Sequence, residues 1–509
     1  MLILVIVERW NLLSQLTKNS IQDIMVIYDY KENRMLANVI SFLENIVKAA
    51  NDALYSYVLI ILLVLGGLYF TVRTKFVQFR LLGEQLRAVT EKPADGKGVS
   101  SFQALMVSTA SRVGTGNIVG VSTALCLGGF GSVFWMWVIA IIGGASAFVE
   151  STLAQIYKKR GPEGSFGGPA YYIEAAFKNR FLAVVFSIFL ILTYGIGFNM
   201  LASYNLQSTF AGYGFYKDHA SIAPWIIGLI IAALVCFCLF GGGKRIIATT
   251  TFIVPFMGAA YIIVALVITL INAPALPGIF RQIFEGAFDL KAIFGGFSGS
   301  CVMYGIKRGL FSNEAGVGSA PNASASAEVA HPVKQGLVQV LSVFIDTILV
   351  CSATAFMCMA SGVAPSEELS GAPYVQEAIK ATLGDIGPVF ITVAMLLFAF
   401  TTLLGNLFYV DKTFTYLLKK TPGKAFNTVY YILASGVIFL GAGLSSDLLW
   451  GIADVTMGGM TLINMPVIII LGKYAFRALD DYTKQRKTGK DPVFKAKDIG
   501  LPHDVDYWN

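Results

Sequence analysis

The sequence predicts an all-α integral membrane protein of about eleven transmembrane helices, and three observations carry that expectation. The 509 residues are 55% hydrophobic and only 14% charged, a balance found in membrane proteins rather than in soluble globules. Apolar runs near the roughly 20 residues that a helix needs to cross a bilayer recur along the chain. Lysine and arginine concentrate on alternate loops between those runs.

The chain opens with MLILVIVERW, which is apolar but breaks at Glu8 and Arg9, too short for a span and without a basic leader. Residues 1–34 therefore read as an extension without identifiable chemistry. From Met35, MLANVISFLENIVKAANDAL reads as a short amphipathic helix. The spans follow at 54–72, 99–126, 131–157, 181–212, 223–241, 247–272, 291–312, 334–361, 386–419, 426–443 and 450–475. Those at 181–212 and 386–419 are long enough to include tilt or an interfacial turn.

The formal charge of +7 is a topology signal, not a nucleic-acid footprint. One set of loops holds Arg73, Lys75, Arg80, Arg87, Lys92 and Lys97, then Lys158, Lys159 and Arg160, then Lys244 and Arg245. It continues with Lys307, Arg308 and Lys334, then Lys412, Lys419, Lys420 and Lys424, and the tail from Lys473. The opposite loops carry little beyond Lys217, Arg281, Lys291 and Lys380. With basic loops inside, the first one included, the N-terminus lies outside and the C-terminus in the cytoplasm of a multi-pass plasma-membrane protein.

Six cysteines, Cys126, Cys236, Cys238, Cys301, Cys351 and Cys358, all fall in apolar runs, with no C-x-x-C and only three histidines. A disulfide framework or metal centre is not expected, nor any cofactor beyond a coupling ion. Phosphate-binding loops, H-E-x-x-H and nucleophile–base motifs are absent, so the residues describe no enzyme.

The organisation divides into 1–34, then 35–98 with the amphipathic helix, first span and basic loop, then two groups of five spans, 99–272 and 291–475. A Pro- and Gly-bearing extracellular connector, 273–290, joins them, and a cytoplasmic tail, 476–509, follows. An odd number of spans per half makes the halves antiparallel, an inverted repeat of the kind that places a transporter's site where interrupted helices meet. The first span of each half carries such an interruption: VGTGN at 113–117 and FGGFSGSC at 294–301. Glycine permits the unusual backbone angles of an unwound segment. Lipid would not tolerate the freed N–H and C=O groups, but a ligand-lined cavity would. N–H groups at a half-helix start favour a carboxylate; carbonyls and hydroxyls favour Na⁺. Gly116 and Gly120 also form a G-x-x-x-G, which by itself reads as close helix packing. Matched breaks holding Asn117 and Ser298 favour the unwound reading.

Within LFAFTTLLGNLFYVDK, 397–412, Thr401 and Thr402 are adjacent hydroxyls. Each either bonds its own i−4 carbonyl or, near freed carbonyls, serves as a cation ligand. Asn406, one turn on, either lines a side-chain pocket or bridges two helices. Arg112, Glu150, Asp346 and Asp411 are ionisable residues inside spans and hence functional candidates. A structural or gating pair of Arg112 with Glu150 or Asp346 is preferred over substrate contact. RGLFSNEAGVGSAP, 308–321, is too polar for a span, and Asn313 and Glu314 suit the cap of a re-entrant or interfacial turn.

These residues also resemble a known family. RVGTGNIVGVSTA (112–124), GGFGSVFWMWVIAIIGG (128–144), GGPAYYIE (167–174), RGLFSNEAGVGSAP (308–321) and FIDTILVCSATA (344–355) are similar to the alanine or glycine:cation symporters, the sodium:alanine symporters, and the likeness extends over about Met35 to Phe476. The resemblance implies a leucine-transporter-like five-plus-five helix fold with one extra N-terminal span, and uptake of a small neutral amino acid driven by Na⁺ or, in some members, H⁺. It implies substrate contacts at Thr115, Gly116 and Asn117, at Ser298, Gly299, Ser300 and Met303, and at Asn406. It implies a Na⁺ site between Ser111 and Gly114 on the first broken helix and Thr401 and Thr402 on the eighth core helix. Two departures bear on selectivity. TTLLGN stands where members often read TTILGW, and NMLA, Asn199 to Ala202, where they often read NMVQ. The smaller wall opens the choice among alanine, glycine, serine and glutamine.

The expected mechanism is alternating access. Na⁺ orders the broken segments, the substrate carboxylate docks near Gly116, and its ammonium docks on carbonyls near Ser298. The rivals are proton coupling through Glu150, Asp346 or Asp411, and an uncoupled channel or nutrient sensor.

Overall fold

The computed structural model describes residues 41–42, 44–93, 96, 98–161, 164–289, 300–501 and 505–508. Two units are distinguished, Met1–Asn51 and Asp52–Asn509. In the first, residues 44–51 are helical; the extension 1–34 and the start of the helix expected from Met35 lie outside the described residues.

Among the described residues, the regular structure of the second unit is helical apart from one small antiparallel hairpin and an isolated bridge between Val99 and Ala327. In chain order come α1 (Leu59–Arg73), the amphipathic α2 (Leu82–Thr90), α3 (Ser101–Arg112), α4 (Gly116–Gly128) and α5 (Ser132–Ile156). The hairpin, β1 (Lys159–Gly161) with β2 (Gly164–Phe166), leads into α6 (Pro169–Phe177) and α7 (Arg180–Ser208). Then follow α8 (Ala223–Leu239), α9 (Gly242–Ile271), α10 (Leu276–Ala287), α11 (Cys301–Asn313) and α12 (Pro332–Ala360). The chain closes with α13 (Ala372–Leu383), α14 (Ile386–Leu418), α15 (Lys424–Gly441) and α16 (Ser446–Lys487).

Seven helices among the described residues, α5, α7, α9, α12, α14, α15 and α16, are long and apolar enough to cross a membrane; α1, α4 and α8 are shorter apolar helices. Their outer faces agree: Phe252 is 78% exposed and Ile386 74%, faces that only lipid would cover favourably. The protein is a multi-pass membrane protein.

Local signals account for the helix starts that position the centre. Ser100 and Gln103 form a reciprocal capping box at α3, with Ser100 Oγ accepting from the Gln103 amide at 3.1 Å and Gln103 Oε1 from that of Ser100 at 2.9 Å. Ser300 caps α11 by accepting from the Met303 amide at 3.3 Å. Pro332 opens α12 behind a His331 cap. In the interior, α5 packs along α12, α11 and α1, and α14 along α3, α7 and α9. α14 meets α3 at Gly405, where a Cβ would come within 2.7 Å of the Ser111 backbone nitrogen.

The run 99–126 is split at its centre, within the expected interruption at 113–117. Helix ends depart from the expected runs in two places: the connector 273–290 holds α10, which buries Ile279, Ile283 and Ala287, and α16 continues past residue 475 to Lys487. Beyond α16 a strap, residues 494–501 and 505–508, lies against the ends of other elements. Phe494 N donates to Ala330 O at 3.0 Å, and Trp508 Nε1 to Gln155 O at 2.7 Å. The strap covers the ion pair of Lys158 and Glu328 (3.4 Å): the ammonium lies 3.8 Å from the Tyr507 ring centre, and the Tyr507 hydroxyl donates to the carboxylate. Burial pushes the Glu328 carboxyl up, but the Lys158 ammonium and the hydrogen bonds of Tyr507 and Ser165 hold it below the usual value.

Candidate functional site

The break in the first long polar helix lies where the glycines are. α3 ends at Arg112; Val113 has φ −76° and ψ 86°, outside the helical region, and Thr115 is helical again with φ −60° and ψ −24°. Helix α4 then begins with one wide π-type turn, Gly116–Gly120. Asn117 closes the gap: its Oδ1 accepts from Gly114 N at 2.8 Å. Its Nδ2 faces Asp346 Oδ1 at 2.7 Å, the Asp346 carbonyl at 3.2 Å and Ser312 Oγ at 3.1 Å. The other Asp346 oxygen accepts from Ser312 at 2.8 Å and Thr347 at 2.7 Å. One amide thus ties the break to α11 and α12, satisfying polar groups that hydrocarbon could not.

The two threonines of α14 separate. Thr401 Oγ1 donates back to Leu397 O at 3.0 Å and lies 3.4 Å from Met257 Sδ, so it faces its own helix and α9. Thr402 Oγ1 is aimed at the break: a Cβ on Gly114 would come within 2.0 Å of it. Only glycine leaves room for that approach. The Thr402 hydroxyl is buried and, among the described residues, without a hydrogen-bond partner, a condition that costs about 1–3 kcal/mol when nothing compensates it.

Above this pair runs a polar bridge. Ser111 Oγ lies 2.8 Å from both Glu314 Oε1 and Asn406 Oδ1. Asn406 Nδ2 donates to Asn199 Oδ1 at 2.9 Å, and Ser319 Oγ donates to Glu314 Oε2 at 2.6 Å. Asn406 is fully buried and joins α3, α7 and α14. Glu314 takes a left-handed backbone (φ 53°) directly after α11, and Asn313 Oδ1 accepts from Ala315 N at 3.0 Å, so the polar loop turns sharply inside the protein. Thr115 Oγ1 accepts from Asn205 Nδ2 at 3.1 Å.

Arg112, Glu150 and Asp346 are all buried, but Arg112 is within 4 Å of neither carboxylate. Its Nη1 donates to Gln339 Oε1 at 2.8 Å, while Nε and Nη2 are buried without partners among the described residues. Glu150 accepts from Asn464 Nδ2 at 2.9 Å and Gly316 N at 3.3 Å. Asp411, on the same helix as the threonines, pairs at 3.4 Å with Lys412.

The structure corrects one part of the charge reading. Lys307 and Arg308, counted among loop cations, lie buried in α11, and both pair with Asp454 Oδ2, at 2.9 Å and 3.1 Å. The Arg308 guanidinium stands 3.9 Å over Trp450, which packs 4.7 Å from Phe311. Phe311 in turn lies 4.5 Å from Phe198 and against Gly116, where a Cβ would meet its ring at 2.8 Å. Sequence reasoning did not assemble this aromatic and cationic wall beside the break, because its members are far apart in the chain. Of the second predicted interruption, 294–299, including Ser298 and Gly299, lies outside the described residues. Ser300 caps α11, and Met303 is buried on it.

The profile of the sodium:alanine symporter family matches residues 40–496. The chain belongs to the sodium:alanine symporter family. It is 42% identical to the amino-acid carrier protein AlsT of Bacillus subtilis (strain 168) over 468 residues, 92% of this chain and 98% of that one. To the probable sodium/glutamine symporter GlnT of the same organism it is 42% identical over 469 residues, 92% of this chain and 96% of that one. To its putative sodium/proton-dependent alanine carrier protein YrbD it is 39% identical over 484 residues, 92% of this chain and 98% of the relative. As a member of the sodium:alanine symporter family, the protein is a cation-coupled amino acid symporter, and the family is one of transporters rather than enzymes.

Proposed function

We propose that the protein imports a small neutral amino acid, among alanine, glycine, serine and glutamine, together with Na⁺ by alternating access. The carrying observation is the buried Thr402 hydroxyl, without a hydrogen-bond partner among the described residues, set against Gly114 in the broken helix. A hard cation takes hydroxyl and carbonyl oxygens, and a helix break supplies carbonyls that no longer serve a ladder. Thr402 and the backbone of Ser111–Gly114 hold the Na⁺; Thr401 supports α14 from behind. The substrate lies beside Thr115 and Gly116, with its carboxylate on backbone N–H groups at the start of α4 and its ammonium towards the segment 298–303. Asn117 shapes this site by fixing the break, and Asn406 sets the pocket wall through its bridge to Ser111 and Asn199. Arg112, Glu150 and Asp346 form the buried charge set around which the gates move. The architecture is the five-plus-five inverted repeat with one added N-terminal span, N-terminus outside and C-terminus cytoplasmic.

The membrane potential contributes about 2.3 kcal/mol per charge per 100 mV, so one Na⁺ drives an accumulation of tens-fold at 100 mV. The test is uptake into proteoliposomes with labelled alanine and, separately, glutamine. Concentrative uptake that needs an inward Na⁺ gradient supports the reading; mere equilibration would make the protein a channel. Proton coupling is the second reading, favoured by Glu150 and Glu314, both buried and in no ion pair among the described residues. Uptake that follows a pH gradient without Na⁺ would establish it.

A further inference from the structure

A cavity of about 630 Å³ opens beside the C-terminal strap, away from the broken helix. The hairpin contributes Lys159 and Arg160, the start of α7 contributes Arg180, and the end of α14 leads into Lys419 and Lys420. Five cations therefore face two carboxylates, Glu174 of α6 and Asp506 of the strap. Both carboxylates are already engaged: Glu174 accepts from the Tyr416 hydroxyl at 2.5 Å, and Asp506 from the Arg160 amide at 3.0 Å.

The cations are prepared in two ways. The guanidiniums are held in place. Arg180 Nη2 donates to the carbonyls of Tyr416 at 3.1 Å and Leu417 at 2.7 Å, the guanidinium carbon lies 5.2 Å over the Tyr416 ring, and Nε is buried without a partner among the described residues. Arg160 Nη2 donates to Tyr507 O at 3.3 Å and stands 4.8 Å over that ring. The ammonium groups of Lys159, Lys419 and Lys420 are free: none joins an ion pair among the described residues. A basic loop is what membrane topology asks of one side of the bilayer. Topology does not ask that five cations from three separate elements converge on one cavity with fixed arginines and tyrosine walls.

We propose that this cavity binds a phosphate-bearing anion. Planar guanidiniums match phosphate oxygens in pairs, and flexible lysines add point charge. The volume exceeds a bare phosphate, and the walls of Tyr157, Phe166 and Tyr171 suit an organic portion attached to it. The chemistry is shared by the headgroup of an anionic lipid in the adjacent leaflet and by a soluble organic phosphate. Because Asp506 and Val505 form one wall, occupancy is linked to docking of the strap. The transported amino acid, being neutral, does not need this charge.

The experiment is calorimetric titration of the purified full chain in neutral detergent at fixed ionic strength, with sn-glycerol 3-phosphate in one arm and dihexanoyl phosphatidylglycerol in the other. Saturable binding is expected in at least one arm, and the double variant Lys159→Ala/Lys420→Ala should weaken it about tenfold, as loss of two close charges predicts. Binding of the glycerol phosphate identifies a soluble ligand; binding of the lipid alone identifies a leaflet ligand. Both lysines are exposed, and the single variant Lys420→Gln, expected to weaken binding by a smaller factor, covers the case of a poorly folded double variant. No saturable binding in either arm, or binding unchanged in the variants, overturns the proposal.

Discussion

The hydroxyl of Thr402 on α14 rests against the α-carbon of Gly114 in the break of the first polar helix, so closely that a Cβ there would come within 2.0 Å of the oxygen. The two residues are far apart in sequence, and each explains the other. Glycine is needed at 114 because the hydroxyl occupies the space a side chain would take. Among the described residues the hydroxyl has no hydrogen-bond partner, and it faces backbone that has stopped being helix.

Gly114→Ala therefore creates a steric conflict whose partner is known. We expect it to lower thermal stability by about 1–3 kcal/mol and to abolish Na⁺-driven uptake. Adding Thr402→Ala removes the clashing oxygen and should recover most of the stability but not the transport. A double-mutant cycle of melting temperatures measures this. Additive losses would mean that the two residues do not touch.

Thr401→Ala removes a hydroxyl that only bonds its own helix and approaches Met257. Its Na⁺ dependence should match the unaltered protein within about twofold, since such back-bonding contributes little. Initial uptake rates across a Na⁺ series read the outcome, and a large shift would place Thr401 in the cation site after all.

Asn406 is fully buried between Ser111 and Asn199. Asn406→Ala takes the donor from Asn199 Oδ1 and leaves Ser111 only its contact with Glu314, and should destabilise the protein by about 1–3 kcal/mol. Asn406→Trp has no room and should stop uptake of alanine and glutamine alike. A functional tryptophan variant with a narrowed substrate range would instead put residue 406 on the pocket surface.

Much of the centre is legible in the sequence because its signals are local. VGTGN cannot be a comfortable helix interior, and the break is at Val113 and Gly114. The adjacent hydroxyls of α14 are visible, but successive helical positions point about 100° apart, and which one meets the break depends on how α14 is rotated. Lys307 and Arg308 read as loop cations because their partner, Asp454, lies 146 residues away from Arg308. Glu314 reads as the cap of a re-entrant or interfacial turn, and its link to α3 is hidden for the same reason: Ser111, 203 residues away, meets it only in the folded chain. The strap is unreadable beforehand, since its few aromatic residues show no periodicity until Lys158 lies beneath them.

His331 gives a pH prediction. Burial lowers its pKa below the ordinary value, against the raising effect of the Asp481 carboxylate, 3.2 Å from Nε2; Lys334 lowers it further. Its Nδ1 accepts from Val333 N at 3.2 Å, so the neutral ring caps α12. A depressed histidine is protonated more readily when unfolded. Its stabilising contribution is therefore complete above the unfolded value of about 6.5 and is lost as pH falls from there towards the folded value. Amide protection around residues 331–334 and 494, taken relative to the intrinsic exchange rate at each pH, should fall below about pH 6.5 and lose that dependence in His331→Asn. Protection that rises on acidification would reverse the assignment.

The measurement that bears most directly on the cation site is the Na⁺ dependence of amino acid uptake by Thr402→Ala in proteoliposomes. If the Thr402 hydroxyl is a ligand, the Na⁺ concentration for half-maximal uptake rises at least about tenfold, the equivalent of ~1.4 kcal/mol, while the protein inserts and melts normally. A variant with full-rate uptake at the original Na⁺ concentration would contradict the account and move the coupling ion away from the Gly114 break.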